Sequence, residues 1–258
     1  MCTVACLPNG EGYVLGMNRD ESVTRPIGRA PGVEEIMRAG GPGWVISPAD
    51  PAGGTWISLN DQGVTLALIN WYSVPPGAGT GWETRGRVVR DSARAANAGE
   101  VDAVLAGLPW ERLQAFRLIG VFPAARVLHE WSWDRVKLRT EILPWAARLW
   151  VSSGWDEPRA QVVRGETFAA ARAESGDTNS LAWLRRFQRS HAAGPGPFSV
   201  CMHRADAHTV SYTEIEVTAA TAALRYHAGS PCEPAEAVAI RRPRGEITTS
   251  TPAGKTRG

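Results

Sequence analysis

The cysteine at position 2 is the residue of this sequence best placed to do chemistry. Removal of Met1 would leave Cys2 first in the chain, with a thiol and a free α-amine on the same Cα. The reference pKa is about 7.7–8.0 for an α-amine and about 8.5 for a cysteine thiol, so the amine can take the thiol proton without a separate histidine. Because cysteine is small, we expect Met1 to be removed. The amino terminus is therefore predicted to be a nucleophile that carries its own base.

A predicted β-hairpin returns polar residues to this amino terminus. Apolar runs flank a Pro-Asn-Gly turn near Gly10, which is typical of two antiparallel strands. A turn centred at Gly10 places Cys2 opposite Asn18, and Arg19 and Asp20 follow directly. We expect Asp20 to hold the amine or the thiol by a hydrogen bond. The alternative interpretation is that Cys2 is a buried, inert thiol beside a salt-bridged turn.

A second hairpin is predicted around the Asn-Asp-Gln-Gly turn at 60–63. It places Asn70 opposite Gly53, and the glycines Gly53 and Gly54 allow close approach of the backbone. An asparagine amide beside backbone N–H groups is suited to stabilising an oxyanion. Trp71 follows and is a candidate for the mouth of the site, although packing explains it equally well.

The order of predicted elements indicates the fold class. Strands come first and are followed by helices, then by strands, helices and strands again, which favours an α+β protein with antiparallel sheets and helices outside them. The 258 residues suit one large domain or two small ones. We assign residues 1–240 to that domain and interpret 241–258, which are rich in Arg, Thr, Gly and Pro, as a disordered tail.

Composition argues against several classes of function. The net charge of +2 gives no electrostatic footprint for nucleic acid, and no apolar run is long enough to span a membrane. The first residues lack the pattern of a signal peptide, so a cytoplasmic location with reduced thiols is expected. No metal is expected, because no C-x-x-C pair or metal-ligand spacing joins the four cysteines, Cys2, Cys6, Cys201 and Cys232. The five histidines are scattered, and His203 and His208 are the best pair for a metal or haem.

Several motifs occur together in order and carry a family resemblance. They are Met1-Cys2-Thr3, Asn18-Arg19-Asp20-Glu21, Gly53-Gly54-Thr55-Trp56, Asn70 and Thr84-Arg85-Gly86. This set resembles the NRDE family, whose animal members are called transport and Golgi organisation protein 2. That family is similar to N-terminal nucleophile hydrolases of the penicillin V acylase and bile salt hydrolase branch. The resemblance implies a four-layer αββα sandwich of two antiparallel sheets flanked by helices.

The resemblance also implies roles for individual residues. Cys2 would be the nucleophile, Asp20 the residue that orients it and Asn70 an oxyanion donor. An arginine of the acylase branch corresponds to Met17 here, so Arg19 would substitute for it. A second asparagine of that branch corresponds to Ser153, and Arg204 is the candidate for a late catalytic arginine. The predicted substrate-binding residues are Asn18, Gly53, Gly54, Trp71 and Ser153.

Three functions are compatible with these features. The first is hydrolysis of a non-peptide C–N (amide) bond in a small molecule through a Cys2 acyl-enzyme, without a cofactor. The second, implied by the resemblance, is binding or trafficking of haem, although the sequence has no Cys-Pro dipeptide or C-x-x-C-H motif. The third is a scaffold that has lost catalysis, which Met17 and Ser153 would fit. The oligomeric state stays open.

Overall fold

The computed structural model describes residues 1–10, 12–174 and 176–245. Its helices are α1 (Gly86–Ser92), α2 (Ala98–Ala106), α3 (Glu157–Arg172) and α4 (Leu181–Gln188). Its strands are β1 (Cys2–Asn9), β2 (Gly12–Ser22), β3 (Arg29–Arg38), β4 (Gly41–Ala49), β5 (Ile57–Asn60), β6 (Thr65–Asn70), β7 (Phe116–Phe122), β8 (Val127–Trp133), β9 (Leu138–Leu143), β10 (Arg148–Ser152), β11 (Ala207–Val217), β12 (Thr221–Ala228) and β13 (Ala237–Pro243).

The strands form two antiparallel sheets. The first sheet has six strands in the order β10-β1-β2-β11-β12-β13, and the second has seven in the order β3-β4-β5-β6-β7-β8-β9. The seven-stranded sheet follows chain order, so each strand pairs with its neighbour in sequence. In the six-stranded sheet β1 and β2 lie at the centre, between the much later strands β10 and β11. The amino terminus is therefore held inside the sheet.

The two-residue periodicity of the strands sorts side chains between two cores. On β1 and β2 one set of alternate residues faces the other sheet and packs with Ile57 and Leu59; this set contains Cys2, Val4, Cys6, Tyr13, Leu15 and Met17. The opposite set, which includes Leu7 and Val14, packs against Trp183 and Phe187 of α4. Burial on both faces explains why these strands are apolar almost throughout.

Helices α1 and α2 cover the outer face of the second sheet. Val89 of α1 and Leu105 of α2 pack in one cluster with Leu66, Leu118 and Phe116 of β6 and β7. The layers are thus helices, sheet, sheet and helices. This arrangement confirms the predicted α+β class and four-layer sandwich.

Local signals in the sequence fix the start of α3 and α4. The side chain of Asp156 accepts a hydrogen bond from the backbone N–H of Arg159, and Pro158 occupies the first turn of α3. Ser180 caps α4 by accepting from Trp183 N–H. Both helices lie on the first sheet, and α3 carries Arg164, which forms an ion pair with Asp20.

Some sequence predictions of elements are wrong. The apolar run at 198–202, which is typical of a strand, instead forms turns and bends. The tail predicted from Arg241 does not begin there, because β13 runs to Pro243 and pairs with β12. The part of the predicted tail at 246–258 lies outside the described residues. None of the described helices is both long and apolar enough to cross a membrane.

Candidate active site

A cavity of about 480 Å³ lies beside the amino terminus. Its wall is built from both sheets and from the segments that lead into β5 and α1. The lining residues used below are Met1, Cys2, Arg19, Glu21, Arg25, Asp50, Trp56, Asn70, Trp82 and Arg85. The β1–β2 hairpin and the β5–β6 hairpin, which are the two hairpins predicted from the sequence, therefore meet at one cavity.

The register of the first hairpin differs from the prediction by one residue. Asn9 pairs with Gly12, so Cys2 lies opposite Arg19 rather than Asn18. A one-residue slip sends every side chain to the other face of the sheet. Arg19 consequently shares the cavity with Cys2. Asn18 faces the helices instead, is fully buried, and donates through Nδ2 to the carbonyls of Gln188 and Val200 at 2.8 and 2.9 Å. The prediction that Asn18 binds substrate is wrong.

The Cys2 side chain reaches the cavity wall but is only 7% exposed. Burial raises the pKa of the Cys2 thiol above its ordinary value, although the positive amino terminus and Arg19 act in the opposite direction. While Met1 is present, the thiol is therefore protonated at neutral pH. A reactive thiolate needs a base that can approach the sulfur.

Met1 continues the β1–β2 ladder beyond Cys2. Its amine donates to the carbonyl of Asp20 at 2.8 Å, and the N–H of Asp20 donates to the carbonyl of Met1 at 2.8 Å. The same amine lies 3.5 Å from the hydroxyl of Tyr72. Burial works to lower the pKa of this amine, but the acidic groups Tyr72, Cys2, Glu21 and Asp20 together outweigh it and raise the pKa to about 10.

The Asp20 carboxylate is engaged on the helix side of the sheet. Its Oδ2 forms an ion pair with Nη1 of Arg164 at 3.2 Å, and its Oδ1 accepts from Thr209 Oγ1 at 2.6 Å. Arg164 also donates to Thr3 Oγ1 at 2.5 Å and to the carbonyl of Pro197 at 3.2 Å. Both charged side chains are 0% exposed. The carboxylate of Asp20, on β2, thus connects that strand to β11 and α3, and through Arg164 to β1. The backbone N–H and carbonyl of Asp20 are both hydrogen-bonded to Met1.

Sequence reasoning did not assign a role to Arg164. A signal was present, because Ala160, Arg164 and Phe168 recur at four-residue spacing in α3 and face the sheet. A charged residue in the middle of such an apolar stripe requires a buried partner. Asp20 is that partner.

Arg19 is fixed in the cavity by contacts on two sides. Its Nη2 lies 3.0 Å from Asp50 Oδ2, and its guanidinium lies 4.5 Å from the centre of the Trp56 ring. Arg25 approaches the same carboxylate at 2.9 Å. Burial works to raise the pKa of Asp50, but the N–H of Ala52 and the two arginines outweigh it and lower the pKa. Asp50 is therefore a stable counter-ion that orients Arg19 beside Cys2.

Asn70 presents its amide at the same cavity. Nδ2 donates to the hydroxyl of Tyr72 at 2.8 Å, and that hydroxyl lies near the Met1 amine. The predicted pairing of Asn70 with Gly53 is wrong, because β5 begins only at Ile57 and Asn70 pairs with Phe116 of β7. The cavity contact of Asn70 does not depend on that pairing.

Two glycines let the segments before β5 and at the start of α1 touch. A Cβ on Gly54 would lie 2.6 Å from the carbonyl carbon of Gly86, and a Cβ on Gly86 would lie 2.9 Å from the nitrogen of Thr55. The N–H of Thr55 donates to the carbonyl of Gly86 at 3.1 Å. Gly54 therefore positions Arg85 at the cavity rather than contacting a ligand. Gly53 is exposed, does not line the cavity, and accepts a hydrogen bond from Arg90.

Alanine at Gly54 is expected to destabilise the protein by about 1–3 kcal/mol, because its Cβ would overlap backbone that has no room to move. Urea unfolding followed by tryptophan fluorescence measures this change. Gly165→Ala in α3 is the control: a Cβ there meets nothing within 4 Å and should stabilise the helix by about 0.5–1 kcal/mol. Equal effects of the two substitutions would contradict the close-contact explanation.

Arg85 is the cation of this cavity that lacks a carboxylate partner among the described residues. Arg19 is paired with Asp50 and Arg25 with both Asp50 and Glu21, whereas Arg85 donates only to the carbonyl of Ala115 at 3.1 Å. Burial lowers the pKa of Arg85, which nevertheless stays protonated at neutral pH. The cavity therefore offers one positive charge to a ligand.

The other predicted residues are only partly brought to this site. Ser153 is buried, and its Oγ lies 4.0 Å from the sulfur of Met1. Trp71 does not line the cavity, while Trp82 does. Arg204 lines a second cavity of about 300 Å³, pairs with Asp206 and stacks over Trp155.

Met1 stands between the two cavities. Both cavities are lined by Met1 and Glu21, and the second is also lined by Asp20, Tyr72 and Arg204. The side chain of Met1 packs against Met202 and Ala207. Loss of Met1 would therefore remove a wall residue that the two cavities share.

Comparison with known proteins supports the fold. The structure is similar to penicillin V acylase from Agrobacterium tumefaciens, with a TM-score of 0.52 and 9% identity over 88% of this chain and 83% of that chain. It is also similar to the Caenorhabditis elegans ortholog of N-acylethanolamine-hydrolyzing acid amidase, with a TM-score of 0.51 and 10% identity over 90% of this chain and 94% of that chain. This chain therefore shares the fold of these two proteins. No protein-family model and no curated protein sequence matches the chain.

Proposed function

We propose that this chain is a hydrolase of the NRDE family that cleaves a non-peptide amide bond through a Cys2 acyl-enzyme after Met1 has been removed. The observation that carries the proposal is that Cys2, Arg19 and Asn70 line one cavity at the start of the chain. The motifs of the sequence support the family, and the fold shared with two amide hydrolases supports the reaction class.

The reaction follows from the groups around Cys2. The α-amine takes the thiol proton, the thiolate attacks the amide carbonyl carbon, and the oxyanion accepts a hydrogen bond from Asn70. Asn70 Nδ2 has two hydrogens, so its bond to Tyr72 leaves one for the substrate. The amine then gives its proton to the leaving nitrogen as the C–N bond breaks. Water, deprotonated by the same amine, releases the acid and restores the thiol.

Removal of Met1 changes the site in two ways that favour this reaction. It frees an amine on the Cα of Cys2, next to a thiol whose pKa is otherwise raised by burial. It also leaves the N–H and carbonyl of Asp20 without the partners that Met1 now supplies. Buried polar groups require partners, so substrate or water would occupy this place. Removal of Met1 thus gives a larger cavity with the Cys2 nucleophile in its wall.

Two forms of the protein test the proposal, released from a cleavable fusion so that one begins at Met1 and the other at Cys2. Intact mass identifies each form, and hydrolysis of penicillin V and of an N-acylethanolamine is measured. We expect hydrolysis, and selective iodoacetamide labelling of Cys2 at neutral pH, only in the form that begins at Cys2. Absence of both in that form, or equal rates in the two forms, would contradict the mechanism.

Haem binding is the second candidate. Cys2 and Met1 are the residues of the described cavity wall whose types ligate haem iron. Burial opposes ionisation of the Cys2 thiol, so a thiolate ligand is disfavoured in this structure. Haem titration of the form beginning at Met1 distinguishes the candidates, because a Soret shift that is lost in Cys2→Ala would support a carrier.

Because Arg85 presents a positive charge without a carboxylate partner among the described residues, we expect the preferred amide substrate to carry a carboxylate. Penicillin V has one and an N-acylethanolamine has none, so Arg85→Met should raise KM for penicillin V by about tenfold or more, as expected for loss of a charged hydrogen bond. The KM for the uncharged amide should change little. Arg87→Met is the control, because Arg87 pairs with Glu83 and Asp91 and does not line the cavity. Equal changes for both substrates would contradict this role.

A further inference from the structure

A second group of reactive side chains lies outside the cavity. It consists of His191, Cys201, His203 and Cys232, each of which places one ligand atom within 4.8 Å of all the others. The residues come from the segment after α4, the segment before β11 and the segment after β12. The fold thus gathers two thiols and two imidazoles from distant parts of the chain.

The distances within the group match those of a tetrahedral ion site. Nε2 of His203 lies 3.5 Å from the sulfur of Cys201 and 3.3 Å from that of Cys232, and the two sulfurs are 3.4 Å apart. Tetrahedral bonds of about 2.3 Å to sulfur and 2.0–2.1 Å to nitrogen place neighbouring ligand atoms roughly 3.3–3.8 Å apart, with the nitrogen pair closest and the sulfur pair farthest. Small side-chain rotations therefore suffice to bind an ion.

The surroundings leave the group without another role. Nε2 of His191 is buried and has no hydrogen-bond partner among the described residues, while its ring centre lies 5.0 Å from that of His203. Cys201 is fully buried, and Cys232 lies at the surface, so an ion has a route of entry. A buried nitrogen without a partner is costly unless it binds something.

We propose that these four residues bind a structural Zn²⁺ ion. Two thiolates and two neutral imidazoles in tetrahedral arrangement suit zinc, and four protein ligands leave no open position for catalysis. Binding removes the protons of both thiols to solvent and involves no change of oxidation state.

The ion would support the site at the amino terminus. Between Cys201 and His203, Met202 packs against Met1, and the N–H of Met202 donates to Thr209 Oγ1 at 2.9 Å. That hydroxyl donates in turn to the Asp20 carboxylate at 2.6 Å. Zinc would therefore connect the end of β12 to the segment beneath Asp20.

The sequence does not reveal this group, because only Cys201 and His203 are close together in the chain. The predicted pair, His203 and His208, does form an isolated β-bridge. His208 nevertheless lies outside the group of four.

Metal analysis of the purified full-length chain tests the proposal. We expect about one zinc per chain by mass spectrometry of the metal, and loss of that zinc in Cys232→Ser, a substitution at the surface that should fold. Cys6→Ser, which changes a buried cysteine outside the group, should retain it. Chelation should lower the Tm of the parent protein and not that of Cys232→Ser.

Cobalt provides a second, spectroscopic measurement of the same site. Replacement of zinc by Co²⁺ should produce d–d bands of tetrahedral cobalt and a thiolate-to-cobalt charge-transfer band. If the parent protein binds no more zinc and no more Co²⁺ than Cys232→Ser does, the proposal is overturned. A Cys201–Cys232 disulfide in protein purified with zinc, seen by intact mass without reductant, also overturns it.

Discussion

Replacement of Cys2 by alanine is expected to abolish amide hydrolysis by the form that begins at position 2. Loss of the nucleophile of an acyl-transfer enzyme lowers kcat by about 10⁶-fold, since no other group forms the covalent intermediate. The cavity and the fold should remain, because alanine fits the buried face of β1 where Cys2 packs. Hydrolysis of penicillin V, with unfolding by urea measured in parallel, tests this result.

Cys6→Ala is the matched control for that substitution. Cys6 lies on the same face of β1, is fully buried and does not line the cavity. Burial raises the pKa of its thiol, so it is unreactive at neutral pH. Cys6→Ala should lose some stability and keep full turnover. Hydrolysis that survives in Cys2→Ala at the level of Cys6→Ala would exclude Cys2 as the nucleophile.

The sequence predicts the fold well because its local signals agree with the packing. Turns rich in Pro, Asn and Gly separate strands with apolar faces, and Ser180 and Asp156 cap helices where the hydrophobic pattern begins. Strands β3 and β4 were not predicted. β3 is largely exposed, and its Pro31 and Gly32 weaken the alternation of apolar and polar residues.

The face of each side chain in the site was harder to predict. Centring the first turn at Gly10 rather than midway between Asn9 and Gly12 exchanged the faces of Asn18 and Arg19. Asp20 lies beside the amino terminus, but its carboxylate points to α3, and its backbone carbonyl rather than its carboxylate accepts from the amine. Local sequence fixes the approximate position of a residue, and the register of the hairpin decides which layer it enters.

Partners that are distant in the chain could not be predicted from spacing. Asp20 contacts Arg164 and Thr209 because β1 and β2 lie between β10 and β11, and Cys201 contacts Cys232 because β11 pairs with β12. Nothing local to either member of a pair specifies the other. The order of strands in the first sheet supplies that information.

Replacement of Asp20 by asparagine is expected to lower the free energy of unfolding by about 3–5 kcal/mol, because it leaves the guanidinium of Arg164 buried without a counter-ion. Both side chains are 0% exposed, so water cannot compensate. Urea unfolding of Asp20→Asn against the parent protein measures the loss. The exposed pair of Arg186 and Glu174 provides the control, and Glu174→Gln should change stability by less than about 1 kcal/mol.

A double substitution separates stability from function in this network. Asp20→Leu with Arg164→Leu removes both charges, and replacing a buried ion pair by apolar residues is often neutral or stabilising. The double variant should therefore be more stable than Asp20→Asn, apart from the costs at Thr209, which loses its acceptor, and at Thr3 and Pro197, which lose their donor. If it is stable but fails to hydrolyse penicillin V, the ion pair positions the amino terminus for catalysis. If stability is not recovered, the large effect of Asp20→Asn does not arise from the unpaired charge of Arg164.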